Sequence, residues 1–457
     1  MKKVITYGTF DLFHKGHENI LRRARELGDY LYVGVTTEQF DVQRGKMNVT
    51  DSLMRRIDNV RASGFADEVI VEDHDGQKAE DIAKLGIDTF VLGSDWTGKF
   101  DYLKEYCEVV YLERTKNIST TEIKNSRGKL INLGIVGTGR IASRTCTEIR
   151  YVNGVTAAAV YNPHIKSAES FAAKVGIGFF SDNYDAFLEN VQAVYIASPH
   201  ETHFDYCKRA LTAGKHVLCE KPMVMTEAEA RELFDIAAEK KVVLMEAIKT
   251  AYTPGFNSLL AVARGGRIGR VVDVEAAFTK LVPFSTAQRE YSGPFGGSFF
   301  ELGSYPLLPI IKLLGRDYKN VEFRSFNAEN GADYYAKAIF DYPGALATAK
   351  TGIGAKSEGQ LLVTGTEGYI LVKSPWWLFN SFEVCYEDTT LNENFQAPFY
   401  GYGLRFEIAD FIKNINSPGL KNFKLTAADS IAFAAIMERF TTQKSTQKSE
   451  VRGQKTE

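Results

Sequence analysis

The sequence predicts an α/β protein with two parallel-sheet regions followed by a region built on an open, mostly antiparallel sheet. Three observations predict it. From Val4 to Leu112 short apolar runs alternate with stretches of helical spacing, the pattern of a parallel sheet with crossover helices. The alternation restarts at Leu130, and beyond about Ala251 longer β-like runs replace it. At 457 residues the chain has room for about three domains of ~150 residues. They are expected at 1–128, 129–250 and 251–442, with 443–457 a disordered tail.

The elements follow in order. Val4–Tyr7 is a strand that stops at Gly8, and Ile20, Leu21, Ala24 and Leu27 keep helical spacing after His17. Tyr30–Val35 is a second strand. A helix begins at Asp51, with Leu53, Ile57 and Val60 on one face. Val69–Val71, Thr89–Leu92 and Val109–Leu112 are further strands. Ser119 and Glu122 form a capping-box signature, and the polar run Asn125–Lys129 is a junction. Leu130–Val136, Ala157–Tyr161, Ala193–Ala197, His216–Leu218 and Val242–Met245 are the strands of the second region, and Ile141–Ile149 is its first helix. In the third, Val271–Phe278, Tyr334–Phe340, Ala345–Thr351, Gln360–Thr364 and Tyr369–Val372 read as sheet, and Leu404–Ile415 and Ala427–Phe440 as closing helices. After Thr441 almost no apolar residue remains, which predicts disorder.

Composition narrows the function classes. Apolar and charged fractions of 44% and 25% are those of an ordinary globular protein. A net charge of −2 gives no general attraction to nucleic acid or anionic membrane, and neither partner is expected. The five cysteines, at 107, 146, 207, 219 and 385, form no C-x-x-C pair, so neither a zinc ribbon nor a disulfide framework is expected. No apolar run approaches the ~20 residues of a membrane span, and the first residues do not suit a signal peptide. A soluble cytoplasmic protein is the expectation.

The first candidate site is YGTFDLFHKGH, Tyr7–His17, between a strand and a helix start. A helix N-terminus offers free N–H groups and partial positive charge to phosphate. Two imidazoles three residues apart, His14 and His17, can face one anion, and Gly16 lets backbone approach it. Displacement at an α-phosphate builds charge that positioned donors stabilise. With GSDWTGKFDYLK (Gly93–Lys104) and RTKNISTTEIK (Arg114–Lys124), residues 1 to about 125 resemble a glycerol-3-phosphate cytidylyltransferase, a doubly wound nucleotidyltransferase domain. The resemblance implies that Gly8, Thr9 and Phe10 line the CTP phosphates and that His14 and His17 stabilise the transition state. It implies that Lys46 and Arg114 contact phosphates, that Asp95 and Trp96 hold the nucleoside, and that Ser119, Thr120 and Thr121 serve the β- and γ-phosphates. Arg55, Arg56 or Arg61 would hold the incoming substrate phosphate. Ser94 stands where relatives often carry a second Asp. Mg²⁺ is expected with the triphosphate, not in a protein-built cage.

The second candidate site is Gly137-Thr138-Gly139-Arg140-Ile141-Ala142, a G-x-G-x-x-A turn after a strand and before a helix. The first glycine permits the turn, the second admits pyrophosphate, and the alanine allows close helix packing. The next strand ends in Tyr161-Asn162 with no acid to choose NAD. Asn162 suits either cofactor, and His164 or Lys166 would pair a 2′-phosphate, so NADP or NAD stays open. GKHVLCEKP (Gly214–Pro222), SPHETH (Ser198–His203), MEAIKTAYTP and GGSFFELGSYP make residues from about 130 to 440 resemble the glucose–fructose oxidoreductase and inositol dehydrogenase superfamily. The resemblance implies a Rossmann domain and an α/β domain whose open sheet walls a substrate cleft and joins copies into a homo-oligomer. It places Lys221 near the reacting carbon, with Ser198 and Glu220 beside the cofactor. Glu301 and Tyr305 stand where relatives often carry Asp and His, and that spacing sets both on one helical face. Tyr305, its pKa lowered by a nearby ammonium, would donate a proton to a carbonyl oxygen. His203 is expected simply to bond backbone.

Together these predict a bifunctional enzyme. One half reduces or oxidises a small carbonyl compound or polyol. The other attaches CMP to a polyol phosphate, glycerol 3-phosphate foremost, with ribitol or ethanolamine phosphate as alternatives, for capsule or teichoic-acid-type polymers. The rival expectations are a C-terminal half that binds cofactor without catalysis, or one that only oligomerises the transferase.

Overall fold

The protein is described by a computed structural model at residues 1–113, 130–417 and 424–453. The expected capping box at Ser119, and with it Arg114, Thr120 and Thr121, falls outside the described residues.

The first region alternates β1 (Lys3–Gly8), α1 (Lys15–Arg25), β2 (Tyr30–Thr36), α2 (Glu38–Gln43), α3 (Leu53–Ala62), β3 (Glu68–Glu72), α4 (Gln77–Leu85), β4 (Thr89–Gly93) and β5 (Glu108–Leu112). The sheet is parallel throughout, in the order β3-β2-β1-β4-β5. It is doubly wound because its core strands bury both faces. Val4, Val33 and Val91 pack on one side with Leu21 of α1 and Ile57 of α3, and Ile5, Tyr7 and Phe90 pack on the other with Ile82 of α4. Helix α3 starts at Leu53, two residues after the expected Asp51, because Ser52 is the N-cap and accepts from the Arg55 N–H.

The second region holds β6 (Ile131–Val136), α5 (Arg140–Ile149), β7 (Val155–Tyr161), α6 (Ile165–Val175), β8 (Phe179–Ser181), α7 (Tyr184–Glu189), β9 (Ala193–Ile196), α8 (His203–Thr212), β10 (His216–Glu220), α9 (Glu227–Lys240) and β11 (Leu244–Ala247). The six strands have the order β11-β10-β9-β6-β7-β8, two mononucleotide-type halves meeting at the first strand. Gly134 in β6 has no room for a side chain, since a Cβ would meet the Phe187 ring at 2.3 Å.

The third region adds α10 (Lys249–Tyr252), α11 (Pro254–Arg264), β12 (Val271–Thr279), α12 (Ser298–Leu302), α13 (Ser304–Leu314), β13 (Asn320–Asn327), β14 (Asp333–Tyr342), β15 (Ala345–Gly352), β16 (Leu361–Gly365), β17 (Tyr369–Val372), β18 (Ser381–Cys385), β19 (Glu393–Gln396), α14 (Leu404–Asn416) and α15 (Ala427–Gly453). The sheet order is β13-β14-β15-β12-β16-β17-β18-β19. Every pairing is antiparallel except β12 with β15. Helices α10 and α11 are additions to the two closing helices expected here, and α12 and α13 supply the helical stretch implied by the spacing of Glu301 and Tyr305. Helix α15 runs on to Gly453, into the stretch expected to be disordered. Gln, Lys, Glu and Arg are good helix formers, and a packed first half supplies the nucleus.

The tightest partition of the chain gives two units, Met1–Gln192 and Ala193–Glu457. Within the first unit, residues 47, 151 and 153 bond the first two regions together. No helix among the described residues is long and apolar enough to cross a membrane.

Candidate active sites

The loop from β1 to α1 carries the first site. Phe10 and Leu12 lie in the left-handed region, at φ 53° and 46°, which costs a non-glycine residue on the order of 1 kcal/mol. Two carboxylates hold this loop. Asp11, buried, accepts the backbone N–H groups of Thr50 and Asp51, the latter at 2.7 Å. Asp51 in turn accepts the Leu12 N–H at 3.2 Å. The Phe10 ring then lies edge-on to His17 at 5.4 Å.

His14 is the N-cap of α1. Its Nδ1 accepts the Gly16 N–H at 3.0 Å, and Nδ1 of His17 accepts the His14 N–H at 3.4 Å. A neutral imidazole whose Nδ1 accepts carries its proton on Nε2. The two rings stack at 3.9 Å. Burial lowers the pKa of both, and for His17 the nearby charges of His14 and Lys46 lower it further. Both rings are therefore neutral at pH 7 and present two Nε2–H donors beside the open end of a helix.

Around them, Thr9 Oγ1 donates to Asp41 at 3.1 Å, and Lys46 Nζ donates to the Arg150 carbonyl at 2.8 Å. Asp95 and Trp96 are half-buried in a turn after β4. The three arginines separate clearly. Arg56 is fully buried and donates to the carbonyls of Thr9, Thr36 and Asp51, so it braces the site. Arg55 pairs with Asp51 at 3.3 Å, and Arg61 is exposed on the last turn of α3.

The dinucleotide turn lies in the same unit. Gly137 has φ 97°, a conformation that favours glycine. Gly139 is the N-cap of α5 with no side-chain hydrogen bond, and a Cβ there would meet nothing within 4 Å. This helix start is exposed, and the free N–H groups of a helix N-terminus suit a pyrophosphate. Arg140 is exposed and Ile141 half-buried on the first turn. Asn162 donates to Thr138 Oγ1 at 2.9 Å, and its Oδ1 accepts the His164 N–H at 2.9 Å.

The second unit holds the lysine. Lys221 Nζ donates to the Glu301 carbonyl at 2.7 Å. Burial lowers its pKa, while the Glu301 and Glu220 carboxylates pull the other way. The Glu301 carboxylate lies 3.5 Å from the Arg289 guanidinium and 3.9 Å from His200 Nε2. Glu301 and Tyr305 fall on two short helices, α12 and α13, joined at Gly303, whose φ of −59° and ψ of −34° keep the path helical. Glu220 accepts the Tyr195 hydroxyl, and burial raises its pKa. Ser198 is buried and accepts from the Thr202 hydroxyl at 2.7 Å. His203 has Nδ1 2.9 Å from the Pro222 carbonyl and Nε2 3.0 Å from the Ser198 carbonyl, the backbone role expected for it.

One expectation is overturned. The Tyr305 phenol was expected to be made more acidic by an ammonium. Its pKa is instead raised far above the ordinary value, first by burial and then by the Glu220 and Glu407 charges. No ammonium acts among the causes of the shift. Sequence reasoning also missed Asp11 and Arg289, and it gave His200 only a bland structural role, whereas its Nε2 lies 3.9 Å from the Glu301 carboxylate. Asp11 is the fourth letter of GTFD and was open to assignment. Arg289 carries no local pattern.

The sequence model described as cytidylyltransferase-like matches residues 5–126. That of an oxidoreductase family with an NAD-binding Rossmann fold matches 131–248, and that of the GFO/IDH/MocA C-terminal domain matches 256–371. Over 130 residues, 28% of this chain and 100% of the relative, the chain is 55% identical to a glycerol-3-phosphate cytidylyltransferase of Bacillus spizizenii. Over 324 residues, 68% of this chain and 95% of the relative, it is 29% identical to a scyllo-inositol 2-dehydrogenase (NADP(+)) of Bacillus subtilis. A 3-ketoreductase from Actinomadura kijaniata, solved with NADP and TDP-benzene, matches the fold with a TM-score of 0.60 at 24% identity, over 67% of this chain and 96% of that one.

Proposed function

We propose a bifunctional enzyme, on the premise that the chain belongs to the glycerol-3-phosphate cytidylyltransferase family through its first part and to the GFO/IDH/MocA oxidoreductase family through the rest. The front half transfers CMP from CTP to a small polyol phosphate, glycerol 3-phosphate foremost. A phosphate oxygen of the acceptor attacks the α-phosphorus, the bond to the bridging β-phosphate oxygen breaks, and pyrophosphate leaves. The observation that carries this reading is the paired imidazoles, each with Nδ1 engaged by backbone and Nε2–H left to meet developing charge. Lys46 and Arg114 add positive charge to the phosphates, and Mg²⁺ accompanies the triphosphate.

The rear half fits a dinucleotide by the open space at Gly139. Bound there, NADP or NAD supplies hydride chemistry at a carbonyl carbon. Of the chain's own groups, Lys221 suits the proton better than Tyr305, because burial lowers the lysine pKa toward neutrality and raises that of the phenol away from it. Glu301 orients the lysine through its backbone carbonyl. The two activities together make a CDP-polyol for capsule or teichoic-acid-type polymers, in the cytoplasm.

Pyrophosphate release from a panel of nucleoside triphosphates and polyol phosphates tests the first half, with CTP and glycerol 3-phosphate expected to lead. Lys221→Met tests the second: dinucleotide binding should persist while carbonyl reduction falls about 10²-fold or more. An unaltered reduction rate would remove Lys221 from the chemistry. CDP-polyol formed from a keto-phosphate only when CTP and reduced dinucleotide are both present would establish the coupling.

A further inference from the structure

We propose that the segment Arg150–Asn153, which follows α5 in the oxidoreductase half, is a positioning element of the cytidylyl-transfer site. This rests on the transferase reading above. Four residues reach the two loops that are to hold CTP. The Arg150 carbonyl accepts Lys46 Nζ at 2.8 Å, and its guanidinium donates to the Asp95 carbonyl at 2.6 Å. The Met47 N–H donates to the Tyr151 carbonyl at 2.7 Å, and the Asn153 N–H donates to the Met47 carbonyl at 2.9 Å. Met47 and Val152 thereby form an isolated β-bridge. The Tyr151 ring stands edge-on to Trp96 at 6.1 Å, and its hydroxyl lies 3.3 Å from Lys99 Nζ. Asn153 Nδ2 donates to Asp11 at 3.2 Å, the same carboxylate that holds the Thr50 and Asp51 N–H groups.

The loop carrying Lys46 needs such a support. Between α2 and α3 it contains Gly45 at φ 70° and Asn48 at φ 59°, with no regular element of its own. A strand-like clamp on Met47 fixes the direction in which Lys46 leaves the backbone. The link to Asp95 fixes the opposite loop from the same four residues. The distance from the phosphate-binding loop to the nucleoside-binding loop is therefore set from outside the transferase fold. The support is an addition of this chain: the Bacillus spizizenii relative is matched over 100% of its length by 130 residues, and residues 150–153 lie beyond the cytidylyltransferase-like stretch that ends at 126.

Asn153→Asp sets a second carboxylate against Asp11, and Arg150→Ala removes the link to Asp95. Both are measured in the full-length protein by pyrophosphate release, with dinucleotide affinity as a check on α5. The proposal expects the KM for CTP to rise tenfold or more in each, with kcat changed less. Asn153→Gln, which keeps the amide donor, should recover most of the loss. An unchanged KM for CTP in Arg150→Ala, in a protein whose parent transfers CMP, overturns the proposal even if Asn153→Asp fails to fold. Loss of kcat with no change in KM also overturns it. A parent that releases no pyrophosphate from any triphosphate defeats the transferase reading itself, a separate result.

Discussion

The starts of α1 and α5 are both furnished for an anion, in opposite ways. At α1 the N-cap is a side chain: His14 accepts a backbone N–H of its own helix through Nδ1 and keeps its proton on Nε2, and His17 accepts the His14 N–H in the same way. At α5 the N-cap is Gly139, with no side-chain bond and open space where a Cβ would stand. The first end offers side-chain donors whose bonds strengthen as charge grows. The second offers only fixed backbone N–H groups to charge already present. The difference separates a place where phosphate reacts from a place where phosphate is merely held.

The comparison breaks most easily at α1. Replacing both His14 and His17 by alanine should lower the rate of CMP transfer by at least about 10³-fold, since one donor to developing charge is worth about 10²–10³. The binding of CTP should change far less. Calorimetric titration with CTP beside a rate measurement separates the two, and a loss confined to binding would make α1 a holding site like α5. Gly139→Asp performs the converse experiment. The fold has room for the side chain, and a carboxylate against pyrophosphate costs several kcal/mol, about 10²-fold in affinity. Fluorescence titration with reduced dinucleotide should register that loss while CMP transfer is unaltered.

A smaller change sharpens the α5 side. Asn162 sits at the end of β7, where an acid would bind the ribose 2′-hydroxyl of NAD, and its amide is already bonded to Thr138 of the turn. Asn162→Asp should move the ratio of kcat/KM for NAD over NADP about tenfold toward NAD, which is worth ~1.4 kcal/mol. A ratio that stays put would mean that the dinucleotide choice is made elsewhere.

The two ends also differ in how far they were legible. The α1 site is contiguous. Tyr7–His17 holds its strand, its turn and both rings, and local spacing sufficed. The same is true of Gly137–Ala142. The lysine site was legible only by its parts. Lys221 lies 80 positions before Glu301, and no spacing reveals that Arg289 and His200 reach Glu301 or that the Glu220 and Glu407 charges act on Tyr305. The last region shows the same limit in its backbone. Helix α13 carries Pro306 and Pro309, residues that argue against a helix until an apolar slot is available to bury it. Strand β13 buries Val321 and Phe323 but intersperses Glu322 and Arg324, so its alternation is too short to stand out. The four residues that clamp Met47 carry no signature, because their role is set by a partner a hundred positions away.

Charge extends the contrast into stability. At α1 burial acts on bases and lowers their pKa. In β11 it acts on an acid: Glu246, 2% exposed, is raised from 4.5 to about 7. The signs are opposite. The imidazoles bind fewer protons folded than unfolded, so their contribution improves as pH rises toward the unfolded value near 6.5. Glu246 binds more protons folded than unfolded between 4.5 and about 7, so its contribution is present at pH 4.5 and is lost as pH rises to 7. Glu246→Gln keeps a neutral side chain at every pH and removes only that slope. Relative to the parent, the variant should therefore gain stability between pH 5 and 7.5, by on the order of 2–3 kcal/mol at 1.36 per pKa unit. For a unit of this size that is a relative rise of roughly 5–10 °C in unfolding midpoint. Scanning calorimetry at several pH values checks it, because His200 and His203 titrate alike in both proteins and cancel in the difference. A constant offset between parent and variant across that range would mean that Glu246 is ionised throughout, held by the Met223 N–H and Ser430 more strongly than burial opposes it.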